Sequence, residues 1–384
     1  VMEQKLVMAH VFGHADFFKH NLWFSPTDRR MLNRMNDHGE RIRQAMKALG
    51  QDRVENFLDD ALSLDNLIDP FLPLRRKMRQ ASAEQAAPQE LRESPSERAL
   101  KSLERASRSP LEETSFVAPQ TTDAVNVNPP TYDVLGFLAE EAPLERWQRD
   151  LLRIVREEAY YFSPQRMTKI MNEGWASFWH SRMLTEGVLD PDEIIDFADC
   201  HSGATAAQPG QLNPYKLGID LFRHAEEKGL DIFRLRRMHN DTSFLDELID
   251  EEFAAKSQLF VMGHNSRTGR TEVLDRDWQG VKATLLQQLT HGGLPQIELV
   301  DRDFEGRGEL LFEHHHDGRD LELSVSAESL RRIAAMWQRP VHLRTQEEGE
   351  DRHFVAEPNA EVRLVEKPAV VESDPESDSE FARA

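Results

Sequence analysis

Residues 169–183, KIMNEGWASFWHSRM, read as one buried helix, and the rest of the fold is organised around it. Glu173 and His180 stand seven residues apart, two helical turns, so both project from one face. Ala176 and Ser177 lie between them and are small enough to leave space above that face. Trp175, Phe178 and Trp179 widen the contact with the surroundings, which buries the helix. A buried charge is costly unless it is paired or bound to a metal, so these two ionisable groups mark a site.

Working outward, residues 2–20, MEQKLVMAHVFGHADFFKH, follow a helical rhythm with Leu6, Met8, Val11, Phe12 and Phe18 as apolar anchors. His10 and His14 are four apart and share a face. Glu3 lies two turns before His10, the spacing of Glu173 and His180 again. Two imidazoles on one rigid helix are a common way to hold a metal. The plainer reading is a pair of solvated or core-satisfied histidines, and short motifs of this kind arise easily by chance. His20 is expected at the surface, at the helix end.

The helical pattern continues from Asn33 to Leu67 and stops at the DPFLP turn, residues 69–73. Residues 75–130 carry few core side chains and read as a disordered insertion, since they bury too little apolar area to offset their ordering entropy. Helices resume at 133–143 and 144–162, with Pro143 marking the junction and Ser163-Pro164 expected to open the next turn. Further helices are expected at 191–202, 215–229 and 239–256, with a loop at 204–215. Asp246, Glu247, Asp250 and Glu251 read as a solvated acidic face.

Beyond Ser257 the period changes from helical to alternating. Strands are expected at 257–265 and 271–275, 296–304, 309–316, 321–326 and, last, 340–346, with helices at 278–293 and 326–338. The histidines 314–316 sit at an exposed hairpin rim, where alternation turns the middle one away from its neighbours. The fold class is therefore α+β: a mainly helical domain followed by a small ferredoxin-like sandwich built on a split βαβ. The expected division is 1–74 and 131–256 for the helical domain, 257–365 for the α+β unit and 366–384 for a disordered acidic tail.

A net charge of −21 argues against non-specific binding to nucleic acid or anionic membranes, both of which need a basic surface. The single cysteine, Cys200, excludes an intramolecular disulfide framework and suits a reducing cytoplasm. No apolar run is long enough to span a bilayer. The opening VMEQKLVMAH lacks the regions of a signal peptide and reads like the inside of a helix, as if the sequence began partway through a larger protein.

Three stretches, LVMAHVFGHADFFKHN (6–21), QRMTKIMNEGWASFWH (165–180) and NPYKLGIDLF (213–222), resemble the signature blocks of the stage V sporulation protein R (SpoVR) family. The resemblance extends to about residue 345, and MNEGWASFWH is long and unusual enough to be specific. It implies a link to spore cortex formation, cell-envelope or stress physiology, and a gene neighbourhood with a PrkA-type serine kinase and a von Willebrand A-like protein as partners. Family members usually carry a further N-terminal region. Inside the blocks lie His10, His14, Asp16, Asn172, Glu173, His180, His201, Asn213 and Tyr215, which overlaps the set chosen by spacing.

Two functions follow as expectations. In the first, His10, His14, Glu173 and His180 bind a divalent metal, zinc, iron or manganese, in a metal-dependent enzyme, conceived as a hydrolase. Zincin proteases place a Glu after the first His of HExxH; here Val11 stands there, so Glu173 or Glu3 is the expected catalytic base. In the second, Glu173 and His180 are a buried hydrogen-bonded pair in a non-enzymatic scaffold or regulatory partner of a kinase-associated system.

Overall fold

The computed structural model describes residues 2–86, 128–204, 213–259, 261–265, 270–275, 277–358 and 360–365. Its class is the expected α+β, helices first and a small mixed sheet with a helix after them.

Helix α1 (Met2–His20) is followed by a 3-10 turn (Leu22–Phe24), α2 (Met31–Leu49), α3 (Gln51–Leu62) and α4 (Leu72–Ala86). The insertion expected from residue 75 thus begins as helix; residues 87–127 lie outside the described residues, as do residues 366–384 of the expected tail. Helices α5 (Val134–Glu141) and α6 (Arg146–Met167) flank Pro143, and a reciprocal capping box between Glu145 and Gln148 starts α6. Pro164 does not open a turn, contrary to expectation: it sits inside α6, which continues to Met167. A proline removes one backbone donor, and its own carbonyl stays satisfied because the Thr168 hydroxyl donates to it at 2.7 Å.

Helix α7 (Lys169–Met183) then runs through the core and ends in a π-turn (Leu184–Val188). After it come α8 (Ile194–Ala204), α9 (Pro214–Glu227), α10 (Ile232–Met238), α11 (Asp241–Leu248) and α12 (Glu251–Lys256). Most of the expected 204–215 loop is outside the described residues. The single helix expected over 239–256 is two, because the Asp250 side chain accepts from Phe253 N–H and caps a new start.

Helices α1, α7 and α9 meet at near backbone contact. A Cβ built on Gly13 would stand 2.6 Å from Ala176 Cα, and one on Gly174 would overlap the Gly218 backbone. Ala176 and Ser177 are therefore the floor of helix crossings rather than the open space expected above the α7 face. The same crossing changes the buried side of α1. It buries Met2, Ala9, Gly13 and Phe17, whereas the expected anchors Met8, Val11, Phe12 and Phe18 are exposed. Small residues let α1 lie closer to α7 than large anchors could. Trp175, Phe178, Phe222, Phe244 and Phe253 fill the core around these helices.

The sheet rests on the other helices. Hairpin β1 (Val261–Asn265) and β2 (Arg270–Asp275) precedes α13 (Trp278–Leu289), and the expected turn at 267–269 lies outside the described residues. Strands β3 (Ile297–Phe304), β4 (Glu309–His314), β5 (Val341–Glu347), β6 (Glu350–Ala356) and β7 (Arg363–Leu364) lie side by side in chain order, with helix α14 (Leu323–Trp337) between β4 and β5. β4 and β5 are parallel neighbours and the other pairs are antiparallel. The α14 crossover joins adjacent strands, so the sheet lacks the intervening strand of the split βαβ in a ferredoxin-like sandwich.

Two local expectations also change. Residues 321–326 are not a strand: Glu322 caps Ser324 N–H and α14 starts at Leu323, leaving Val325 exposed, so the alternation there carried no packing. Strand β5 is not the last, because Glu348 and Gly349, both at positive φ, turn the chain back into β6. The larger core runs across the expected 256/257 division, with Val54, Leu135, Phe137 and Leu152 packed together with Leu299, Phe312, Ile333 and Leu343.

Candidate metal centre

α1 and α7 place three ligand-type atoms around one point. His10 Nε2 and His14 Nε2 are 3.0 Å apart, and Glu173 Oε2 lies 3.5 Å from the first and 3.6 Å from the second. A metal with bonds of about 2.0–2.2 Å sets its ligand atoms about 3–3.5 Å apart, so the donor set and spacing suit a divalent ion. Among the described residues, His10, His14 and Glu173 are the group close enough to share one. Their side chains are about one-fifth exposed, which leaves one side of the cluster open.

Glu173 Oε2 is itself shut off from solvent and has no hydrogen-bond partner. The imidazole contacts at 3.5 and 3.6 Å are too long to satisfy it well. Burial pushes the Glu173 carboxyl up, but His10, His14 and the Tyr215 hydroxyl together outweigh it and hold the group below its usual range. Tyr215 moves the other way, raised by burial and then by the Glu173 charge, and stays a protonated donor to that carboxylate. Asn213 positions Tyr215: its side chain accepts from Tyr215 N–H and Lys216 N–H, and Pro214 opens α9.

Each histidine is held from behind. His14 Nδ1 donates to Asn172 Oδ1 at 2.9 Å, which turns Nε2 towards the cluster. His10 Nδ1 meets His180 Nδ1 at 3.0 Å, and His180 Nε2 meets His201 Nδ1 at 3.1 Å. His180 thus stands behind His10 rather than beside Glu173. Burial, and then the neighbouring His10, His201 and His14, push His180 down to about 3, so it is neutral at physiological pH. Burial also lowers His201, helped by Arg223. Glu3 is exposed and is not brought to the cluster.

Asp16 locks the frame. Its carboxylate accepts from Trp175 Nε1 at 3.0 Å and pairs with Arg236 of α10, tying α1 to two other helices, and it also pairs with His20. Asp241 accepts from Ile170 N–H and Met171 N–H, both at 2.8 Å, and so holds the first turn of α7. No sequence signal connected Arg236 or Asp241 with this region. The other polar groups singled out have separate partners. His314 bonds Thr345, His315 bonds Glu298 and His316 bonds Asp320, while Asp246 pairs with Lys282 and Glu247 with His239.

Among the described residues no helix is long and apolar enough to cross a membrane. No solved structure matches the chain. The uncharacterized protein YcgB of Escherichia coli (strain K12) is 27% identical over 385 residues, covering 90% of this chain and 74% of the relative. The SpoVR-like C-terminal domain matches residues 295–348, which contain β3, β4, α14 and β5. The SpoVR like protein family matches residues 1–294, the stretch that carries the whole cluster from His10 to Tyr215, and the chain belongs to that family.

Proposed function

We propose that this protein is a metal-dependent enzyme of hydrolytic type whose centre is His10, His14 and Glu173. The observation that carries the reading is the Glu173 Oε2 atom, an anionic oxygen buried without a hydrogen bond and facing two imidazole nitrogens. A charge left that way is costly, and a cation between the three atoms removes the cost. Two histidines and a carboxylate suit zinc, iron or manganese and leave coordination positions free. Such an ion, when bound, supplies a Lewis acid and an activated water.

The chain's own groups then have distinct tasks. His10 and His14 present their Nε2 atoms, Asn172 fixes His14, and His180 backs His10 in place of a direct ligand role. Tyr215 holds the carboxylate by its hydroxyl. With Glu173 occupied in ligation and Glu3 exposed, Tyr215, whose hydroxyl bonds Glu173, is the group offered as proton donor. A peptide or cell-wall precursor as substrate, a cytoplasmic location, a role in spore cortex or stress physiology, and work beside a PrkA-type kinase and a von Willebrand A-like protein belong to this proposal through the family.

The scaffold reading has one observation in its favour: the imidazoles can satisfy one another in a hydrogen-bonded row without any ion. Metal analysis of protein purified without added metal separates the two. The metal reading expects one ion per chain, lost in Glu173→Ala and His14→Ala. Protein that is metal-free and binds no zinc, iron or manganese on reconstitution leaves the scaffold.

A further inference from the structure

The four histidines form a continuous row ending on an acceptor. Asn172 Oδ1 can only accept, so His14 carries its proton on Nδ1 and has a bare Nε2. Without metal, the 3.0 Å contact between the two Nε2 atoms then requires His10 to carry its proton on Nε2. His10 Nδ1 is consequently bare and accepts from His180 Nδ1–H, which leaves His180 Nε2 to accept from His201 Nδ1–H. With each ring neutral, one arrangement of protons satisfies every contact in the row.

An ion on His10 Nε2 and His14 Nε2 breaks that arrangement at one place. His14 is already correct, but His10 must move its proton to Nδ1. It then donates to His180 Nδ1, so His180 must carry its proton on Nε2 and donate to His201 Nδ1. His201 in turn must carry its proton on Nε2. Each ring holds one proton before and after, so nothing is gained or lost; three rings change tautomer together.

We infer that His180 and His201 are positioning residues that form a tautomer relay, switching from Nδ1–H to Nε2–H when the centre binds metal. The inference rests on the proposed metal centre. It gives His180 a role that its place behind His10 otherwise leaves unexplained. It also carries the state of the centre across α7 to His201 on α8, a helix that contributes no ligand. Burial of His180, only 6% exposed, keeps water from supplying a substitute partner.

The test uses the full chain with 15N-labelled histidine, observed by long-range 1H–15N correlation during addition of zinc. The expected result is conversion of His180 and His201 from Nδ1–H to Nε2–H in step with zinc binding, while His14 keeps Nδ1–H. Zinc bound one-to-one with His180 and His201 unchanged overturns the relay and leaves the metal centre standing. Failure to bind zinc overturns both. A second measurement uses affinity: His201→Ala should weaken zinc binding by about 10-fold or more. His201→Gln, whose amide oxygen can accept from His180 Nε2–H, should restore it. Equal loss in the two variants would reduce His201 to packing and count against the relay.

Discussion

Gly13 on α1 lies directly over Ala176 on α7, so close that a Cβ on Gly13 would stand 2.6 Å from Ala176 Cα. This crossing sets the position of the candidate centre. His10 and His14 flank Gly13 in sequence, and Glu173 and His180 flank Ala176, so the distance between the backbones fixes the distance between the ligand atoms. Gly13→Val should force the helices apart and destabilise the fold by about 1–3 kcal/mol, the usual cost of overpacking. Its distinctive effect would be on metal affinity, which should fall more than in Ala61→Val, a fully buried position on α3, a helix that brings no residue to the cluster. Equal losses of affinity in the two variants would show that the crossing does not set the site.

Metal should stabilise the folded chain through Glu173. An ion that binds only the native state at 100 times its dissociation constant adds about 2.7 kcal/mol. Chelation should therefore lower the unfolding midpoint of the holoprotein, and re-addition of zinc should restore it. In Glu173→Gln the folded apoprotein loses a carboxylate whose charged form His10, His14 and Tyr215 favour, so its own stability should hold or fall slightly while the metal-dependent gain disappears. Urea titrations with and without zinc measure both. A Glu173→Gln variant that keeps the full zinc-dependent gain would remove Glu173 from the centre.

Much of the site was legible because it rests on local periodicity. The four-residue step from His10 to His14 and the lone carboxylate in MNEGWASFWH are properties of single helices, and both helices form where the pattern places them. What could not be read is what depends on partners distant in the chain. The row of imidazoles behind His10, the Asp241 cap on α7 and the Arg236 clamp each join segments 21 to 220 residues apart, and no local spacing encodes them. In the sheet, alternation placed β3, β4 and β5 but failed at two places. Residues 321–326 alternate without burying Val325, while charge at Glu350, Asp351 and Arg352 hides the start of β6.

Asp16 and Arg236 should matter for the centre without touching it. The Arg236 side chain is 10% exposed, lies over the Trp175 ring at 5.1 Å and pairs with Asp16. Asp16→Asn leaves that guanidinium without its counter-charge. Complete burial of such a pair would make the loss about 3–5 kcal/mol; because the Asp16 side chain is 39% exposed, roughly 1–3 kcal/mol is expected. The double variant Asp16→Asn with Arg236→Met should recover part of the loss, since the stranded charge is gone. Additive losses in the double-mutant cycle would refute coupling between the two.

Asp241 supplies a pH dependence whose sign can be worked out. Burial raises its carboxyl from 3.8 to about 7 against the two backbone donors of Ile170 and Met171, and Lys169 is the charged neighbour that opposes the rise. Because the folded pKa is above the unfolded one, the native state keeps a proton that the unfolded chain has lost anywhere between those values. The contribution of this group to stability is therefore fully present below pH 3.8, falls as pH rises towards 7 and is flat above it. The slope amounts to about 1.4 kcal/mol per pH unit inside the window. Asp241→Asn cannot ionise, so the stability of wild type minus that of the variant should decline from pH 4 to pH 7 and then level off, as read from urea midpoints at each pH. A difference that is constant over this range, or that grows with pH, would mean Asp241 is already ionised in the folded protein and that the α7 amide donors outweigh its burial.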